Sequence, residues 1–325
     1  IDETAMRMSD LLAFQFAVER GDPGSVMCAY NKVNGTHSCE HPWLLTQVLR
    51  KDWGWKGYVM ADWGATHSTA VAANAGLDQD SGFGLSGQPW FGAPLKEALA
   101  KGEVSAAQLD LMATRIVRAM FAHGLVDHPV GDAPMDLPAD MLARHAEVTR
   151  ADAEESIVLM KNEGAILPLS ASVRKIALIG GHADKGVLAG SGSSLVYPVD
   201  GNAVPGLKPT GWPGPVMYYP SSPLDAIREQ APNATVTFAS GDDPAAAAAL
   251  AAESDVAIVF ATQWVGEAFD VSLTLADNQD ALISAVAKAN PKTVVVLETG
   301  GPVLTPWAGE VAGLVEAWLP GTAGG

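Results

Sequence analysis

Short apolar, β-branched runs recur along the chain, separated by stretches in which apolar residues return every three or four positions. The first pattern is that of a strand buried on both faces, the second that of an amphipathic helix. Their alternation predicts repeated βα units and parallel sheets. Over residues 1–126 it predicts a helix at about 3–20, a strand Ser25–Tyr30, a helix Pro42–Trp53 and a strand Gly57–Ala61. A helix His67–Ala75, a short strand Leu77–Gln79, a long loop and a long final helix follow. Strand-to-helix spacing this short suits a (β/α) barrel. Pro42 fits a first helical turn, Leu44, Leu45, Val48 and Leu49 form the apolar stripe behind it, and Gly54 stops it. Ser105 with Gln108 makes a capping box ahead of Leu109, Met112, Ile116 and Met120, and Gly124 ends that helix.

The pattern breaks at VDHPVGDAPMDLPADML, residues 127–143, which holds three prolines and no apolar period and reads as a linker. HAEVTRADAEESIVLMKN then predicts a helix, and KIALIGG opens a second alternation. Helices are predicted at Ser222–Gln230, Pro244–Glu253 and Asn278–Ala289, and strands at Ala234–Ala239, Val256–Thr262, Thr293–Glu298 and Val311–Trp318. This second unit resembles an open doubly wound sheet, interrupted by a Gly-, Ser- and Pro-rich connection at Gly190–Tyr219.

Composition supports two folded cores: 325 residues, 48% of them hydrophobic. With 20 basic and 37 acidic side chains the net charge is −17, which argues against nucleic acid and anionic membranes as partners. No apolar run approaches the roughly 20 residues of a membrane span. Cys28 and Cys39 flank VNGTHS and are either a disulfide closing a small loop, as an oxidising compartment permits, or two reduced core thiols. The opening IDETAMRMSD looks like a helix entered in mid-protein and EAWLPGTAGG stops abruptly, so a piece of a longer polypeptide is expected.

The chemistry gathers at strand ends. GYVMADWGATHS sets Asp62 at the carboxyl end of a buried strand, where a carboxylate is costly unless solvated or hydrogen-bonded, and where barrels build their active sites. The alternative role is a helix N-cap, but Trp63, Gly64 and Ala65 intervene and Thr66 is better placed to cap. Trp63 offers a flat ring that could stack on a sugar face or serve as core. Tyr30 ends the previous strand at the same mouth, and is either a hydrogen-bond donor that keeps a carboxylate ionised or a tyrosine of the rim.

SVMCAYNKVNGTHSCEHPWLLTQVLRKDWGWKGYVMADWGATHSTAVAANAGLDQD resembles the nucleophile region of the glycoside hydrolase family 3 β-glucosidases, with their MCxYNxVNG and GxVxSDW strands. Ala61 stands where those proteins usually have serine. The resemblance implies the C-terminal part of a (β/α)8 barrel followed by an α/β sandwich domain with a mostly parallel sheet. It implies Asp62 as nucleophile, Tyr30 as its orienting group, and Met27 and Trp63 lining sugar subsites. The family's second carboxyl follows a sheet strand in an EGxDR or EGxDV pattern. WVGEAFDV matches it, with Glu267 as acid/base and Asp270 as companion, Ala268 for the usual glycine and Val271 for the arginine of many members. Rival acids are Glu298 and Glu310, which lack that loop context. KIALIGGHADKGVLAGSGS lacks the spacing of a phosphate loop, and the resemblance accounts for it as a Gly/Ser-rich loop.

The implied function is a retaining exo-β-glucosidase. Asp62 attacks the anomeric carbon, and Glu267, its pKa raised by partial burial and the Asp62 charge, protonates the leaving oxygen and later activates water. The substrate is a small or oligomeric glucoside, and no metal or organic cofactor enters. The remaining parts of the same polypeptide are the expected partners, and a periplasmic or secreted location is expected. Three alternatives stand beside it. A β-xylosidase of the family commonly has cysteine where this chain has Trp63. An N-acetylglucosaminidase usually works from a single barrel. A non-catalytic sugar-binding fragment would follow from the absence of an aspartate, an arginine and a Lys-His pair that lie upstream in the family.

Overall fold

The computed structural model describes residues 1–82, 87, 89–131, 137–198 and 200–325. The chain divides into two compact units, Ile1–Pro134 and Met135–Gly325.

In the first unit, α1 (Glu3–Met8) and α2 (Asp10–Gly21) stand where one helix was predicted, because Ser9 leaves helical geometry (φ −121°, ψ −89°). Strand β1 (Ser25–Cys28) runs into a hairpin, β2 (Lys32–Val33) and β3 (Thr36–His37). Asn34 and Gly35 turn it with φ of 49° and 92°, the left-handed pair that an Asn-Gly turn supplies cheaply. Cys28 and Cys39 are bonded, with Cα atoms 5.2 Å apart, so the hairpin is closed covalently at its base. A π-wound helix, Trp43–Asp52, then buries Leu45, Val48 and Leu49 and carries the chain across to β4 (Tyr58–Ala61).

That crossover makes β1 and β4 parallel, in register from Ser25–Tyr58 to Cys28–Ala61. The strand predicted at Leu77–Gln79 is reduced to one parallel bridge, Gln79 to Met60. Helices α3 (Ala70–Ala75), α4 (Ala93–Ala100) and α5 (Ala106–Ala122) follow among the described residues. The helix predicted from His67 thus begins at Ala70. Half of the capping box forms: Ser105 accepts from the Gln108 N–H, while the Gln108 side chain donates instead to the Ala73 carbonyl at 2.7 Å and ties α5 to α3.

One buried group here carried no signal in the sequence. The Asp78 side chain is wholly enclosed and accepts from the Val59 N–H at 2.8 Å, from Arg115 at 2.9 Å and from Arg50. Burial pulls the Arg50 guanidinium down to about 10, against the opposing pull of Asp78. A charge set this deep persists only because each member is paired.

In the second unit α6 (Ala139–Ser156) begins inside the segment read as a linker, of which residues 132–136 lie outside the described residues. The helix predicted to run through IVLMKN stops at Ser156, and β5 (Val158–Asn162) pairs antiparallel with β12 (Gly313–Glu316) instead. The apolar run satisfies a strand edge that helical periodicity could not reveal.

The other strands are β6 (Lys175–Ile179), β7 (Val187–Ala189), β8 (Met217–Tyr218), β9 (Thr235–Ala239), β10 (Val256–Thr262) and β11 (Thr293–Glu298). Six form one sheet in the order β5-β12-β11-β10-β6-β9, parallel except for β5. Helices α7 (Pro223–Gln230), α8 (Pro244–Ala252) and α9 (Gln279–Ala289) connect it. Ala177 and Ile179 of β6 pack in one cluster with α8 and α9, whereas Ile176 and Leu178 pack in another with Leu224 of α7. Both faces are therefore covered, as the continuous apolar strands require. The strand order reverses between β6 and β10, and in open sheets of this kind ligands bind beyond the carboxyl ends of the strands at that point. The Gly190–Tyr219 connection follows β7 and carries β8, which pairs antiparallel with it.

Candidate active site

Asp62 follows β4 directly. Its N–H continues the ladder to the Cys28 carbonyl at 3.1 Å, and the chain then turns, the Ala65 N–H donating to the Asp62 carbonyl at 3.0 Å. Gly64 makes that turn with φ 83°. The half-buried Asp62 carboxylate accepts from the Trp63 N–H at 2.7 Å and caps no helix. The N-cap of α3 is Thr69, which makes no side-chain capping bond. Thr66, expected in that role, is buried with no hydrogen-bond partner for its hydroxyl among the described residues.

Three side chains expected at this site are half-exposed: Met27 on the neighbouring strand at 51%, Tyr30 at 51% and Trp63, next to Asp62 in the chain, at 50%. Tyr30 was read as reaching a carboxylate. Its hydroxyl donates to the Trp63 carbonyl at 2.8 Å, one residue past Asp62, and so braces the turn that presents it. Gly82 (φ 65°) lies flat against Trp63, since a Cβ there would fall 2.5 Å from the tryptophan side chain. Further along the same loop the His67 N–H donates to Glu40 at 3.2 Å and its ring stacks on His37 at 3.7 Å. A cavity of about 560 Å³ in this unit is walled by Phe14, Val18, Val26, Leu45 and Val48; of the candidate residues only Met27 reaches it. Its apolar lining suits packing rather than carboxylate chemistry.

Glu267 lies on the loop after β10, one of the two strands at the reversal point, and is exposed. The Gly190–Tyr219 connection builds its seat. Ser191 pairs with Gly266, and the Ser191 N–H donates to the Val265 carbonyl at 2.9 Å. The Ser193 N–H donates to Glu267 Oε2 at 2.7 Å. Gly192, with φ 93°, presses so closely that a Cβ would stand 2.4 Å from that of Glu267. The glycine-rich stretch is thus a cradle for a side chain. Ala268 adopts φ 63°, a left-handed conformation that accounts for glycine at this position in similar loops. Asp270 is exposed on the same loop.

The electrostatics of this seat correct one expectation. The hydroxyl and then the N–H of Ser193 hold the Glu267 carboxyl below its ordinary range, not above it. Donors aimed at a carboxylate favour its charged form.

The rival acids Glu298 and Glu310 differ from Glu267 in burial and position. Glu298 ends β11 at 2% exposure, where burial pushes it up to about 8 despite a hydrogen bond from Thr262 at 3.3 Å. Burial also raises Glu316 at the end of β12, against bonds from the Trp318 N–H and from Thr299. Both sit at the sheet end, too enclosed to reach a substrate. Glu310 is exposed and receives only a 3.4 Å bond from Ser284.

Glu298 has a consequence for stability. Its folded pKa is raised, so between about 4.5 and 8 the folded state holds a proton that the unfolded state has lost. The contribution is complete below about 4.5 and disappears as pH rises through 8, an upper bound of about 5 kcal/mol. Urea midpoints measured across this window should fall with pH, and Glu298→Gln should flatten the profile and raise the midpoint at pH 8. Parallel profiles for the two proteins would sink the assignment.

Residues 157–325 match the description of the glycosyl hydrolase family 3 C-terminal domain, and residues 1–119 that of the glycosyl hydrolase family 3 N terminal domain. The chain is 35% identical to the Beta-glucosidase cel3A of Pyricularia oryzae, over 100% of its own length and 46% of that protein's. It is 33% identical to an Exo-alpha-(1->6)-L-arabinopyranosidase of Bifidobacterium longum, over 100% of the chain and 42% of the relative. It therefore spans less than half the length of these curated relatives. Among solved structures, DesR, a beta-glucosidase from Streptomyces venezuelae in complex with D-glucose, superposes with a TM-score of 0.81 at 27% identity. The overlap is 100% of this chain and 54% of that one.

Proposed function

Because the chain belongs to glycosyl hydrolase family 3, we propose that it carries both catalytic carboxylates of a retaining, exo-acting β-glycosidase that removes terminal β-D-glucosyl residues. The observation that carries this reading is the setting of Asp62: a half-buried carboxylate at the end of a parallel strand, followed by half-exposed Trp63, whose carbonyl Tyr30 holds. A carboxylate so placed is reachable by a sugar, and the flat face of Trp63 suits a pyranose ring.

In this reading Asp62 attacks the anomeric carbon and the glycosidic C–O bond breaks as Glu267 gives its proton to the departing oxygen. Glu267, then a base, takes a proton from water, which displaces Asp62 and leaves the sugar with its original configuration. Ser193 favours ionised Glu267, which suits the second step. The first step needs a proton on Glu267, so bound substrate must add enclosure or negative charge to its surroundings. The names of the relatives support glucosides first and α-L-arabinopyranosides second, and the D-glucose bound in the neighbouring structure supports a small sugar as ligand. The Cys28–Cys39 bond supports residence in an oxidising compartment, periplasmic or extracellular.

The test is a panel with the full-length protein: nitrophenyl β-glucoside, β-xyloside, β-N-acetylglucosaminide and α-L-arabinopyranoside, with the anomer first released followed by NMR. Preference for the β-glucoside with β-glucose appearing first is expected. First release of α-glucose would overturn the double displacement, and no cleavage of any substrate would leave a sugar-binding role.

A further inference from the structure

The loop that carries Glu267 leaves the sheet at Gln263, just past β10, and its returning limb around Ser272 belongs to no strand among the described residues. A loop of this kind keeps one shape only if something other than a sheet ladder closes its neck. Gln263 does so. Its backbone N–H donates to the Glu298 carbonyl at 3.1 Å, carrying the contact with β11 one residue past β10. Its side chain, 4% exposed, turns across the loop, and Nε2 donates to the Ser272 carbonyl at 3.1 Å. One buried amide thus joins the limb that leaves to the limb that returns.

Neighbouring groups keep this neck in place. Gln279, at the start of α9, brackets the last residue of β10: its Oε1 accepts from the Thr262 N–H at 2.8 Å and its Nε2 donates to the Thr262 carbonyl at 3.0 Å. On the returning limb the Leu273 carbonyl accepts from the Leu304 N–H at 2.7 Å. Val265, between the neck and Glu267, is pinned by two glycines, since a Cβ on Gly190 or Gly300 would stand 3.1 or 2.5 Å from its Cγ2.

The other end of the Gln263 amide is informative. Its Oε1 is buried with no hydrogen-bond partner among the described residues. Turning the amide over would set Oε1 against the Ser272 carbonyl, acceptor against acceptor, so the direction of the donor is fixed. A buried acceptor left unpaired is destabilising, and the fold tolerates it at the point where the donor closes the acid loop.

We propose that Gln263 is a positioning residue for Glu267, closing the neck of its loop so that the carboxyl group stands at the leaving oxygen without having to be ordered there. The inference rests on the glycosidase reading and adds to it the group that holds the acid in register. Gly192 and Ser193 fix Glu267 from the neighbouring loop, whereas Gln263 fixes the chain on which it stands. Proton transfer is sensitive to displacements well under the length of a hydrogen bond, so a loosened neck should weaken the acid without removing it.

The experiment is Gln263→Met in the full-length protein, which keeps the length of the side chain and removes both polar atoms. It also removes the orphaned acceptor, so the thermal midpoint should stay within a few degrees. Methyl β-glucoside, whose leaving group needs a proton, should lose about tenfold in kcat/KM, while dinitrophenyl β-glucoside, whose leaving group needs none, should stay within about twofold. On the dinitrophenyl substrate kcat and KM should fall together, because Glu267 also acts as base when the sugar is released. Gln279→Met, which opens the bracket on Thr262, is the second variant and should shift the ratio of the two substrates in the same direction. A ratio within about twofold of the unmodified protein in both variants, or an equal loss on both substrates as a merely structural role would give, overturns the positioning role and leaves the glycosidase reading intact. If Glu267→Ala shows no selectivity between the two substrates, the acid assignment fails and the role of Gln263 with it. If the unmodified protein cleaves neither, the glycosidase reading itself fails and takes both with it.

Discussion

Asp62→Asn in the full-length protein should lower hydrolysis of an aryl β-glucoside by roughly 10⁴- to 10⁶-fold, the scale on which losing a nucleophile acts. The amide keeps the shape of the carboxylate and can still accept from the Trp63 N–H, which bonds Oδ1 at 2.7 Å. The turn that presents the side chain is held independently by the Asp62 backbone bonds to Cys28 and Ala65 and by Tyr30 on Trp63. Loss of activity should therefore come without loss of fold, and the thermal midpoint should stay within a few degrees. In Asp62→Gly, which opens the space that the amide still fills, a small anion such as azide should restore turnover by entering where the carboxylate attacked, giving the glycosyl azide of inverted configuration. Residual activity within about tenfold of the parent would remove Asp62 from the chemistry.

Glu267→Ala should be selective where Asp62→Asn is not. Substrates whose leaving group needs no proton, such as dinitrophenyl glucoside, should still form the glycosyl-enzyme, while alkyl glucosides lose roughly 10²- to 10⁴-fold, the usual worth of general acid–base catalysis. Release of the first sugar also needs Glu267, as base, so the covalent intermediate should accumulate on activated substrates and be visible by mass spectrometry. Azide should speed its breakdown. The local structure bears on this variant: removing the carboxyl group takes away the acceptor of the Ser193 N–H at an exposed site, where water replaces it at little cost. Equal losses on activated and alkyl substrates would sink the acid/base role.

Most strands and helices of the sheet unit can be read from sequence because their signals are local. Val256–Thr262 and Thr293–Glu298 are continuous β-branched runs of strand length, and Ser222 caps the helix that its position announces. The misreadings cluster where a distant partner decides. IVLMKN carries an apolar run equally suited to a helix end or a strand, and β12, some 150 residues later, offers the edge that makes it a strand. Leu77–Gln79 looks like a strand, yet only Gln79 is bridged to Met60, while the carboxylate of the preceding residue, Asp78, is drawn into the Arg50–Arg115 pair.

The candidate site divides in the same way. Asp62 is marked by the sequence alone, since an acidic residue closing an apolar strand states its own desolvation problem, and the chain-wide resemblance names Glu267. What the sequence determined, then, is the alternation of elements, the strand end that carries Asp62, and the family. The tertiary structure decided that Cys28 and Cys39 are bonded, that Gly192 and Ser193 cradle Glu267 and favour its charge, and that burial pushes the Glu298 carboxyl up. The physical reason is common to all three. Strand and helix propensities act over a few residues, whereas burial, hydrogen-bond partners and charge are set by side chains that meet only after the chain has folded.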